Sequence, residues 1–286
     1  MPGSLVPAAL SPGNATLEVP RALGLLNGGN ALATTIAAPL GSYLGQYVGW
    51  RGAFFAVVPL AAVTLVWLYA TLPSMPAQAA RSGTVFRVLR RQHVPLGMAA
   101  VSLLFMGQFA LQTYLRPFLE GVTLVDTSML SLILLIVGGG GLVGTCLIGL
   151  LLRTRLYSLL IAVPAVMAAI AVALTLFGDS PFATASLLAA WGLFGTAAPV
   201  GWWTWMSRTL PDDAEAGGGL LVAIVQMAIA LGASFGGLLF DYEGHQAAFS
   251  VSALFLLLCA ATAALAAHRA RAGGASRDPL SQGCQP

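Results

Sequence analysis

Apolar residues run through this chain in blocks of about 20, separated by short clusters rich in Gly, Pro, Asp and Ser. A helix needs about 20 such residues to cross a hydrocarbon core about 30 Å thick. Blocks of that length fall at roughly 22–45, 53–72, 96–116, 129–152, 156–177, 182–206, 217–240 and 248–267. A backbone in lipid must satisfy its own hydrogen bonds, so each block is expected as a helix. Most separators are short turns such as Gly178-Asp179-Ser180-Pro181, whereas the stretch from Pro73 to Pro95 is long and holds Arg81, Arg87, Arg90 and Arg91. The pattern predicts an all-α, polytopic membrane protein of about eight transmembrane helices. Its expected parts are an N-terminal segment over 1–21, two helices over 22–72, a central loop over 73–95, a six-helix bundle over 96–268 and a tail over 269–286.

Composition agrees with this pattern and narrows the chemistry. Hydrophobic residues make up 58% of the chain and charged residues only 8%, where a soluble domain carries roughly 25% charge. Cys146 and Cys259 lie inside apolar blocks and Cys284 in the polar tail, so neither a disulfide framework nor a CxxC spacing is present. His93, His245 and His268 are isolated, with no Ser/His/Asp or HExxH arrangement around them. No metal, cofactor or enzymatic site is expected. A formal charge of +3, scattered along the chain, does not suggest a nucleic-acid surface.

The charges are instead segregated by loop. With helices alternating in direction, one side collects Arg21, Arg81, Arg87, Arg90, Arg91, Arg153, Arg155, Arg208, Arg269, Arg271 and Arg277, leaving Arg51 and Arg116 on the other. The positive-inside rule makes the first side cytoplasmic and puts both termini there. The opposite loops collect Glu120, Asp126, Asp179, Asp241 and Glu243. A faint internal repeat joins the first block to the seventh. Setting Ala38-Pro39-Leu40-Gly41 against Ala233-Ser234-Phe235-Gly236 also pairs Leu44 with Leu239, Tyr47 with Tyr242, Gly49 with Gly244, Ala53 with Ala248 and Phe54 with Phe249. Since the second copy begins in the penultimate block, the first is expected in the penultimate helix of a similar six-helix unit, with four helices upstream.

Several polar side chains fall at membrane depth, where they need partners or a polar cavity. Gln108 and Gln112 are four apart and share a helix face; a substrate pathway and interhelical hydrogen bonding both account for them. Arg116 and Glu120 lie one turn apart near a membrane boundary, a place for an ion pair, a gate or an anchor. Trp191 suits stacking on a planar ligand or simple packing, and Trp202, Trp203 and Trp205 suit an interfacial aromatic belt. Gly139, Gly141 and Gly144 match GxGxxG but lie within an apolar block, so they are expected to serve packing. Asp212 and Glu215 have capping-box spacing. No carboxylate lies deep in any block, so a proton-coupling group is expected outside them.

The run Gly28-Gly29-Asn30, Ala38-Pro39-Leu40-Gly41, Gly45 and Gly49-Trp50-Arg51 through Phe54 resembles the antiporter motif and the following GWR..F signature of major-facilitator exporters. It has Ala38 where the motif usually has Gly, and Ser42 where a second Gly often stands. With GQFALQTYLRPFL and PVGWWTW, continuing through RTLPDDAEAGGG to GASFGGLLFD, the resemblance runs from about Arg21 to His268. It is to the drug:proton antiporter branch of the major facilitator superfamily, and within it to exporters of purine ribonucleosides. The resemblance implies a twelve-helix architecture of which this chain matches the fifth to twelfth helices, in a bacterial cytoplasmic membrane. It also implies efflux of a small solute such as inosine or guanosine in exchange for protons. Sugar and multidrug exporters share the motifs, and a truncated, non-transporting remnant is the alternative of another class. The residues expected in the substrate cavity are Asn27, Asn30, Gln108, Gln112, Tyr114, Trp191 and Gln226; those expected in gating or the motif are Pro39, Gly41, Gly45, Arg51 and Arg116.

Overall fold

The computed structural model describes residues 12–71, 89–91, 94–210 and 214–275. Among them every regular element is helical: α1 (Pro12–Thr71), α2 (Val94–Gln112), α3 (Leu115–Gly121), α4 (Thr127–Phe177), α5 (Pro181–Thr209), α6 (Ala214–Glu243) and α7 (His245–Ala275). Two of these runs bend where the sequence places separators. α1 breaks at Gly49, with φ 74° and ψ 164°, a conformation essentially reserved for glycine. α4 breaks at Arg155, with φ −132° and ψ 38°. The side chains of Asn27 and Asn30 lie outside the described residues, as does Asp212 of the expected capping box.

The helices are long and apolar enough to give seven candidate membrane spans among the described residues, beginning with Tyr43–Thr71 and ending with His245–Arg269. Helix starts follow the local chemistry. Asp126 caps α4 by accepting from the Met129 N–H at 3.0 Å, and Ser180 precedes Pro181 at the first position of α5. α2 and α3 form one span, Val94–Gly121, interrupted at Thr113 and Tyr114 just before Pro117.

α4 packs along α5, α2 lies against α6 and α7, α7 also meets α4, and α1 touches α4. Lipid tails are as apolar as these helices, so association depends on close packing and on small residues at the contacts. Glycines supply that approach here. A side chain at Gly140 or Gly144 would meet the backbone of Ala189 or Leu193, one at Gly192 the backbone of Val137, and one at Gly236 that of Ala110. Gly141 abuts Thr196, while Gly139 faces open space, so two of the three GxGxxG glycines serve packing. Between the helices sits a core that includes Leu104, Phe118, Met167, Leu174, Leu188 and Phe249.

The tryptophan belt needs correction. Only Trp203 is exposed; Trp202 and Trp205 are buried, with their rings 5.6 Å apart and nearly perpendicular. Trp205 packs over Gly97, where a side chain would collide with its ring. Trp205 fills the junction of α5 with α2, and Trp202 lies among α4 residues such as Leu152, Leu160 and Val163, interior roles that their sequence position near a span end did not reveal.

Candidate functional site

The α2–α3 span, the first half of α4 and the middle of α5 enclose a cavity of about 280 Å³. Its polar border is drawn from Gln108, Gln112, Thr113, Arg116 and Thr196, and its apolar border from Leu115, Leu134, Val137, Leu142 and Trp191. Gly138, Gly141, Gly192 and Gly195 complete the wall. Four of the expected residues thus meet at one place.

Gln108 and Gln112 arrive together because four residues of helix bring them to one face. The Gln108 amide nitrogen donates across the bundle to the Gly195 carbonyl at 3.2 Å and also reaches the Gln112 Oε1 at 3.4 Å. Interhelical hydrogen bonding, one of the two readings that the sequence leaves open, is present at Gln108, and both glutamines border the cavity. The Gly195 carbonyl fixes which end of the Gln108 amide faces α5. The Gln108 Oε1 and the Trp191 Nε1 are buried without a partner, a state that costs about 1–3 kcal/mol per group. Gln108 is 8% exposed and Trp191 only 1%, so these two back the wall. Gln112, Thr113 and Thr196 are exposed and offer the accessible polar atoms. Thr196 also donates to the Gly141 carbonyl at 2.7 Å, tying α5 to α4 beside the cavity.

Arg116 borders the cavity from α3. Its Nε donates to the Glu120 carboxylate at 2.8 Å, one turn on, as the spacing predicts. This pair is exposed, so its worth to stability is small; its effect on the site is to hold the guanidinium near the cavity. Among the described residues no carboxylate borders the cavity, and each described Asp or Glu side chain is exposed at a helix end or turn. Among the described residues no cluster of His, Cys, Asp or Glu could hold a metal.

Two expected residues lie elsewhere. The Tyr114 hydroxyl donates to the Ala233 carbonyl at 3.0 Å, and its ring stacks on Phe240 with centroids 5.2 Å apart, so it clamps α6. Gln226 is exposed on α6 and does not border the cavity. In the motif region, Pro39 and Gly45 are half-buried, whereas Gly41 is exposed and Arg51 sits 4.9 Å from the Trp50 ring centroid. None of these four borders the cavity. Thr113 and Thr196 were missed by sequence reasoning; Thr196, one residue after Gly195 in an apolar block, was the available signal.

A bundle of spans around a small cavity of mixed polar and apolar lining is the frame of a solute carrier, and residues 5–219 match the family model of the Major Facilitator Superfamily. The chain belongs to the Major Facilitator Superfamily. This major-facilitator chain is 56% identical over 248 residues to the Pseudomonas aeruginosa protein named Transcription regulatory protein OpdE, covering 85% of this chain and 62% of that one. It is 37% identical over 243 residues to the Purine ribonucleoside efflux pump NepI of Escherichia coli O1:K1, covering 85% of this chain and 61% of the pump. The NepI of Escherichia coli strain K12 is 36% identical over the same length. The chain therefore spans about three-fifths of the length of the curated relatives it matches.

Proposed function

We propose that the cavity takes a purine ribonucleoside, such as inosine or guanosine, and that the protein exports it across a bacterial inner membrane in exchange for protons. The observation that carries this reading is the lining: accessible amide and hydroxyl groups, with the Glu120-paired Arg116 at one edge, on an apolar, glycine-thinned wall, and no carboxylate among the described lining residues. Such a surface suits a neutral, planar, hydrogen-bonding solute. A multidrug pocket should be more uniformly apolar, and a sugar pocket richer in carboxylates. The name of the NepI relatives points the same way. With the described carboxylates all at helix ends, the spans described here offer no buried acid for proton coupling. The loop charges favour an orientation with the arginine-rich side in the cytoplasm.

The test is uptake of labelled inosine into inverted vesicles containing the full chain, with Gln112→Ala and Thr196→Val as cavity variants. Each is expected to lower uptake several-fold while leaving protein levels unchanged. Uptake equal to that of empty vesicles would overturn the nucleoside reading. Trp191→Phe separates packing from binding: it removes a buried, unpartnered N–H but leaves a void, two opposed effects on stability, and a fall in uptake with unchanged thermal unfolding marks a binding role. The name of the OpdE relative favours a second reading, a role in regulating transcription. Under it, deleting the gene would change transcript levels while leaving nucleoside export as it was.

A further inference from the structure

A second pocket lies at the far end of the same helices and takes no part in the cavity described above. It occupies about 330 Å³ where the break in α4 meets the C-terminal end of α5, and is bordered by Arg155, Tyr157, Ser158, Trp205, Arg208 and Thr209. We propose that it binds a phosphate-bearing anion, the headgroup of an anionic phospholipid such as phosphatidylglycerol.

Position supports this assignment first. The span Thr127–Gly149 ends beside the pocket, Arg155–Phe177 begins there and Pro181–Thr209 ends there. The pocket thus sits at the membrane boundary, at the level of lipid phosphates. Charge supports it next. Two guanidinium groups from two different helices border the pocket, and no carboxylate lines it among the described residues. The cap Asp126 and the turn residue Asp179 lie at the opposite ends of these same spans. The planar fork of arginine matches phosphate oxygens in pairs, which the point charge of lysine cannot do.

Local geometry holds one cation in place. The break at Arg155 turns the chain back, and the Arg208 Nη2 donates to the Leu152 carbonyl in the turn just before it, at 3.2 Å. That bond anchors the guanidinium across the α4–α5 junction while other donors remain for a ligand. Trp205, buried and packed on Gly97, forms a rigid floor, and the hydroxyls of Tyr157 and Ser158 add donors at the rim. Basic pockets between helix ends are a recurring way to hold anionic headgroups.

The experiment uses the purified full chain in detergent, offered phosphatidylglycerol or phosphatidylcholine, with retained lipid counted by native mass spectrometry. Phosphatidylglycerol should be retained preferentially. Arg155→Gln and Arg208→Gln should each weaken that retention about fivefold, Arg208→Lys less, and Arg116→Gln, at the other membrane boundary, should leave it unchanged. Inorganic phosphate forms a separate arm: competition by millimolar phosphate that vanishes in the glutamine variants would keep the anion site and assign it to a free ion. Equal retention of the two lipids without any phosphate competition would overturn the proposal. So would unchanged phosphatidylglycerol retention in the Arg155→Gln/Arg208→Gln double variant. The lysine variant keeps the charge, so an effect confined to the glutamine forms is not a general loss of folding.

Discussion

The two copies of the internal repeat share a turn but not an environment. In both, two helices meet at a glycine with positive φ, Gly49 at 74° and Gly244 at 81°, and these are the positions that the sequence pairing sets against each other. They are also the positive-φ glycines among the described residues. Five residues on, the likeness ends: Phe54 is 72% exposed, while Phe249 is fully buried against Phe118, with ring centroids 4.8 Å apart. Gly236 lets α6 press on the Ala110 backbone, yet its partner Gly41 has open space around it. The turn is encoded locally, by a residue free to adopt an otherwise forbidden conformation. Burial is encoded by what stands opposite, and the second copy has α2, α3 and α4 beside it.

The largest effect should separate the copies at this phenylalanine pair. Phe249→Ala opens a void against Phe118. Because lipid and detergent are themselves apolar, the usual transfer contribution largely drops out, leaving a cavity and lost-contact cost of roughly 2–3 kcal/mol. Phe54→Ala should leave thermal unfolding of the chain in detergent almost unchanged. Similar losses for the two would mean that the first copy is packed as tightly as the second. The glycine pair should instead behave alike. Gly49→Ala and Gly244→Ala each force a side chain into positive φ, at a cost of about 1–3 kcal/mol. The measurement is the same thermal unfolding; a loss at Gly244 alone would break the equivalence of the two turns.

The same division between local and distant information decides how much of the molecule was legible. The seven spans found among the described residues, the breaks near Gly49 and Gly244, and the Arg116–Glu120 pair follow from runs, punctuation and one-turn spacing, all local signals, whereas the expected block at 22–45 is not among those spans. The membership of the cavity was half legible. Gln108 and Gln112 share a face by helical spacing, but Tyr114 lies two residues beyond Gln112, about 200° around an ideal helix, and so turns to α6. The exposure of Gln226 and the burial of Trp202 and Trp205 were not available, because they depend on which helices pack on which faces. Thr196 joins the cavity through its contact with Gly141, a pairing 55 residues apart that no local spacing announces.

The smallest contrast lies on the polar side of the repeat. Ser252 is buried and donates to the Gly107 carbonyl at 2.6 Å, a bond between α7 and α2 at a point where Gly107 leaves no room for a side chain. By the same register its counterpart in the first copy is Val57, an exposed residue with no hydroxyl to donate. Ser252→Ala should cost about 1 kcal/mol, in line with hydrogen bonds between membrane helices, and Val57→Ala should cost less than half of that. Ser252→Val tests the steric half of the argument. If the hydroxyl matters chiefly as a bond, alanine and valine should cost alike; if the close approach at Gly107 matters more, the added methyls should push the helices apart and make valine clearly the worse replacement. The second outcome would mean that the buried copy is specified by shape at this contact, and the Ser252 bond is secondary.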